Sequence, residues 1–174
     1  MSEKETLEKR AVEITSLPKE VLEEYGILYN LSGAGKDTGN ITHSEGDGWS
    51  GREIVGALLD TPGTLGYTQG GNLPFLFTEM ERHLHTQEAQ IPLKDPICFC
   101  MAKAGDEPPC AQEAIPVILR PGYVFVFHRG TWHSASHGLE KPAGYYWMAW
   151  AYYNEPTVWR PIGGGPLRVL KGEE

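Results

Sequence analysis

The sequence predicts an all-β barrel or sandwich preceded by a short helical segment. Three observations predict it. Glycine and proline are abundant, with 21 and 13 of 174 residues, so turns are frequent and long helices few. From residue 52 onward, short runs rich in β-branched and aromatic residues recur between Gly, Pro and Asp. Hydrophobic residues make up 40% and aromatics 10%, enough for one enclosed core in a chain of 19.3 kDa.

Residues 1–24 carry the strongest helical pattern, with Leu7, Val12, Ile14, Leu17, Val21 and Leu22 set among Glu and Lys. Pro18 breaks the register and suits the first turn of a new helix. Residues 26–31 read as a strand, and 32–50 as a polar, glycine-rich loop. GAGKDTG within it lacks the spacing of a phosphate-binding loop. Strands are then expected over 52–59, 65–70, 74–85, 87–92, 96–103, 115–119, 123–128, 132–137 and 145–153. The domain plan is a helical extension over 1–24, a barrel over 25–160, and a tail over 161–174 that dangles or packs on a second subunit.

Charge excludes some functions. Fifteen Lys and Arg against 23 Asp and Glu leave a net charge of −8. A nucleic-acid binder needs a basic stripe to displace counterions, and an anionic lipid surface also attracts positive charge. No apolar run approaches the ~20 residues of a spanning helix. MSEKETLEKR lacks a signal-peptide core, so a cytoplasmic location is expected. Cys98, Cys100 and Cys110 are then reduced thiols, the first two buried on one strand face.

The chemistry concentrates in residues 77–92. On a strand, Glu79, Glu81, His83 and His85 share one face, so two imidazoles can point at one ion. After a turn, Glu88 and Gln90 share a face of the next strand and each offers an oxygen. A second cluster, Tyr123 to Ser134, runs from an apolar strand through Gly130 to a third imidazole, His133. Glu81 is a candidate general base, and Lys103, closing an apolar strand, a candidate carboxylate-binding group at the barrel mouth. His43, His128 and His137 are assigned structural or solvated roles. Arg82, on the opposite face from His83, is assigned to structure or to a neighbouring subunit. A tyrosine of the aromatic run 145–153 can reach the site as an acid.

The spacing His83-x-His85-x4-Gln90, followed by His128-Arg129-Gly130-Thr131-Trp132-His133, resembles the two metal motifs of the cupin superfamily. That resemblance implies a double-stranded β-helix (jelly-roll barrel). It also implies one divalent transition metal, Zn, Ni, Mn or Fe, on His83, His85, Gln90 and His133, with Glu88 in place of Gln90 if the turn is one residue tighter. Within cupins, Asn72-Leu73-Pro74, Glu81-Arg82-His83, Ile91-Pro92, Met101 to Gly105 and the His128 to His133 run resemble the ureidoglycolate lyase family. The resemblance implies a lyase splitting ureidoglycolate into glyoxylate and urea; on the residues themselves, Glu81, Glu88 and Lys103 are the candidate catalytic groups. His85 departs from that family's pattern and resembles a fuller metal cupin. Other metal cupins (a sugar or uronate isomerase, a dioxygenase) and a non-catalytic binding cupin are the alternatives. The expected partners are a small-molecule carboxylate substrate and a second copy of the chain, since exposed β-edges and surplus aromatics need cover.

Overall fold

The computed structural model describes residues 6–33, 35–151, 154 and 157–172. Eight strands build the barrel: Thr64–Gly70, Glu79–Arg82, Glu88–Pro92, Ile97–Ala102, Ile115–Leu119, Tyr123–Phe127, Trp132–His133 and Ala143–Ala149. Counted in that order, the first, eighth, third and sixth lie side by side in one sheet. The second, seventh, fourth and fifth form the facing sheet. This alternation is the double Greek key of the jelly roll, the architecture shared by cupins. Gly26–Asn30 extends the first sheet beside Tyr123–Phe127. Val158–Pro161 and Val12–Glu13 extend the opposite ends of the second. No helix among the described residues is long and apolar enough to cross a membrane.

The central strand Ile97–Ala102 is buried along its whole length, which alternation explains. Ile97, Phe99 and Met101 face the space between the sheets, where they join Leu28, Val117, Leu119, Phe125, Phe127 and Tyr145. Cys98, Cys100 and Ala102 face the other way, under Phe77, Leu167 and Val169. Burial pushes the Cys100 thiol up to about 12 and Cys98 up as well, so both stay protonated packing groups. Phe99, Phe125, Phe127 and Trp132 are all but fully buried, and truncating one such ring typically costs about 3–5 kcal/mol. The exposed ion pairs, such as Arg120–Glu13 and Arg129–Asp60, contribute about 0–1 kcal/mol each. Packing between the sheets therefore dominates stability.

Five sequence expectations are corrected. Among the described residues the N-terminal α-helix covers only Lys19–Tyr25; Leu7–Arg10 is a strand paired in parallel with Leu167–Leu170. That pairing also corrects the dangling tail, because Leu167 and Val169 are buried. A partner 160 residues away in the chain overrides local helical preference. The glycine-rich stretch is not all loop: Ile41–Gly46 and Trp49–Ile54 form a hairpin, turning at Asp47-Gly48 with Gly48 at φ 78°. The run 74–85 splits into Phe75–Phe77, which pairs with Leu167–Leu170, and Glu79–Arg82 in the barrel. The expected strand over 145–153 starts at Ala143 and ends at Ala149, and Tyr152 and Tyr153 lie outside the described residues.

Candidate metal centre

Two strands from each sheet converge at one end of the barrel. Glu81 and His133 are cross-strand partners in one sheet. In the other, Glu88 and Gln90 alternate inward on a strand whose neighbour presents Ala149 and Trp147 opposite them. The four side chains Glu81, His83, Glu88 and His133 come together here, each offering a ligand atom within 4.8 Å of the others. They could hold a metal ion. His83 Nε2 lies 2.8 Å from Glu88 Oε2 and 3.9 Å from Glu81 Oε2. His133 Nε2 lies 3.6 Å from Glu81 Oε1 and 3.7 Å from Glu88 Oε2.

The imidazoles are held in defined orientations. His133 stacks on Phe127 with centroids 4.3 Å apart and planes 11° from parallel. Its Nδ1–H donates to the Thr131 carbonyl at 3.0 Å, which only accepts. The Nε2 position is therefore the one left for the cluster. It is buried and has no hydrogen-bond partner among the described residues. His83 Nδ1 lies 3.2 Å from the Thr157 hydroxyl. A second-sphere partner on each ring is what an imidazole ligand generally has.

Burial works against charge on His133, but Glu88 and Glu81 outweigh it and hold its pKa up at about 9. Burial also opposes the Glu88 carboxylate, but His133 and His83 hold it well below the carboxylate range. Glu81 goes the other way: burial raises it, and His133 only partly offsets this. Two neighbouring carboxyls are thus driven apart, one firmly ionised and one inclined to keep a proton.

These shifts predict a pH profile for the metal-free protein. The His133 contribution is fully present below its ordinary 6.5 and is lost as pH rises through about 9. The Glu88 contribution is present above its ordinary 4.5 and is lost as pH falls through its depressed value. Glu81, raised above 4.5, takes stability away as pH rises through its own pKa. Urea unfolding in the presence of a chelator is expected to show stability declining between pH 6.5 and 9. A flat profile across that window would refute the assignment.

The cluster opens into a cavity of about 400 Å³. Its walls include Thr68, Tyr145, Trp147, Trp150, Thr157 and Trp159. The Trp147 indole packs against Gly66, its cross-strand partner, where a Cβ would come within 2.1 Å of the ring. Its Nε1–H donates to Thr68 at 3.2 Å. The aromatic run does reach the site, through Tyr145 and Trp147 on alternate positions.

The remaining sequence candidates are placed differently. His85 lines the same cavity, but its Nε2 meets the Trp150 carbonyl at 3.0 Å and it is not one of the four clustered side chains. The strand ends at Arg82, so alternation no longer carries the face past His83. Gln90 is buried and donates from Nε2 to Glu88 Oε1 at 3.0 Å. Glu88 occupies the place that a tighter turn allows. Lys103 is exposed, bound to Glu24 at 2.6 Å, and does not line the cavity. Arg82 lies 4.8 Å from the Trp132 ring and donates to the Gly105 carbonyl. His128 meets the Glu23 carbonyl, and His137 packs between Phe75 and Phe77. Thr157, Trp159 and Ser136 belong to the site's surroundings without any motif spacing to announce them.

No protein-family model matches the chain. No curated protein matches it either. Among solved structures, the chain is similar to dTDP-4-dehydrorhamnose 3,5-epimerase from Elizabethkingia anophelis NUHP1, at 11% identity and a TM-score of 0.45. The similarity covers 76% of this chain and 77% of that one. The strand order itself defines the jelly roll.

Proposed function

We propose that this chain is a metal-dependent jelly-roll enzyme that moves a proton on a small, oxygen-rich substrate. The observation that carries the reading is His133 Nε2, a buried ligand atom without a hydrogen-bond partner among the described residues, set between two carboxylates and beside a second imidazole. His83, Glu88 and His133 would hold the ion. Two imidazoles and one carboxylate form the donor set of many catalytic centres, which keep a position open for substrate. Such a set accepts Zn, Ni, Mn or Fe. When bound, a divalent ion supplies polarisation of a substrate carbonyl or alkoxide oxygen.

Glu81 would move the proton. It lines the cavity, is less buried than Glu88, and is the carboxyl whose pKa is raised. A carboxyl shifted toward neutral pH can both take and return a proton. On ureidoglycolate, the substrate that the motif resemblance suggests, Glu81 would take the hydroxyl proton. The carbon–nitrogen bond then breaks, the hydroxyl carbon becomes the aldehyde of glyoxylate, and the departing nitrogen receives the proton as urea.

One observation favours a second reading. No lysine or arginine lines the cavity among the described residues, while Trp147, Trp150, Trp159 and Tyr145 do. That wall suits a neutral hydroxylated ring, as in a sugar isomerase, at least as well as a carboxylate. The test is elemental analysis of the purified protein, followed by two assays with and without chelator: glyoxylate release from ureidoglycolate, and aldose isomerisation. One metal per chain and chelator-sensitive glyoxylate release support the lyase. Isomerisation alone supports the second reading. Absence of metal, with no thermal shift on adding Zn, Ni, Mn or Fe, overturns both in favour of a binding protein.

A further inference from the structure

We infer that Ser136 and Gln90 are positioning residues that set the rotation of the Glu88 carboxylate. The inference rests on the reading of this cluster as the functional centre, and its evidence is a chain of buried hydrogen bonds. The Ser136 hydroxyl donates to Gln90 Oε1, and Gln90 Nε2 donates to Glu88 Oε1 at 3.0 Å. Glu88 Oε2 is thereby left facing His83 at 2.8 Å and His133 at 3.7 Å.

The polarity of this chain is forced from its far end. An ionised carboxylate can only accept, so the NH₂ side of the Gln90 amide must face Glu88. The amide oxygen then faces Ser136, whose hydroxyl has to donate. Ser136 is itself held by its backbone N–H, which donates to the Tyr145 phenol oxygen at 3.3 Å. Ser136 and Gln90 are 0% and 1% exposed, so both links are shielded from bulk solvent. Position 90 is therefore suited to an amide. A carboxylate there would place a second negative group against Glu88 and could not donate to it.

Two variants test this, Ser136→Ala, which removes the hydrogen bond that anchors the far side of the amide, and Gln90→Met, which keeps the volume and removes both hydrogen bonds. Ring ¹⁵N NMR of the metal-free protein reads the His83–Glu88 contact directly. Both variants are expected to shift the His83 Nε2 resonance, while wild-type and variant far-ultraviolet circular dichroism coincide. Cobalt(II) titration, followed by visible absorption, is expected to show affinity weakened roughly 10- to 100-fold with a changed band shape, the usual effect of removing an outer partner of a ligand. A merely structural role would lower thermal stability and leave the band shape alone. An unchanged His83 signal in both variants overturns the inference. Wild-type protein that fails to bind cobalt(II), yet shows the His83 shift in the variants, sinks the metal reading and leaves the positioning role supported.

Discussion

His133→Ala is expected to abolish metal loading while leaving the barrel intact. The substitution removes the Nε2 that sits 3.6 and 3.7 Å from the two carboxylates. The loss should exceed the ~100-fold upper range seen when only an outer partner of a ligand is removed. The metal content of purified protein should fall from one ion per chain to near zero, and the thermal shift on adding zinc should vanish. The metal-free variant should also lose its stability decline between pH 6.5 and 9, because that decline belongs to this imidazole. The Phe127 ring that stacks on His133 stays in the core with Phe99 and Phe125, so the circular dichroism spectrum should persist. A variant that still carries one ion per chain would place the centre elsewhere.

Glu81→Gln should separate binding from turnover. Glutamine keeps the shape of the side chain but cannot accept and return a proton. With His83, Glu88 and His133 unaltered, metal content should stay at one per chain. The kcat is expected to fall roughly 100- to 10,000-fold, the range spanned by general acid–base groups. Any acid limb of the kcat profile that Glu81 sets should disappear with it. Lys103→Ala is the matched control: an exposed side chain paired with Glu24, away from the cavity, should give wild-type metal content and kcat. If Glu81→Gln loses the ion as well, Glu81 is a fourth ligand and the proton carrier lies elsewhere in the cavity.

Much of the site was legible in the sequence, though its membership was not. Alternation along Glu79–Arg82 put Glu81 and His83 on one face, and the run ending in Trp132-His133 supplied a third group from another strand. The same alternation, carried three residues too far, put His85 on that face. A strand keeps its two-residue period only while it stays paired, and this one stops at Arg82. The choice between Glu88 and Gln90 stayed open because both alternate inward. What separates them is a hydrogen bond from a serine 46 residues away, invisible to local spacing.

The fold divides in the same manner. Local composition determined the all-β class, the barrel strands from 64 onward, the buried thiols and the helical turn after Pro18. These follow from steric preferences and the burial of alternating side chains, which act over a few residues at a time. Tertiary structure alone decided the parallel pairing of Leu7–Arg10 with Leu167–Leu170, the split at Thr78, and the convergence of Glu81, His83, Glu88 and His133. Each depends on groups far apart in the chain meeting across two sheets. Only that packing removes water from Glu88 and His133, and burial beside an opposite charge is what makes ordinary side chains a candidate reactive centre.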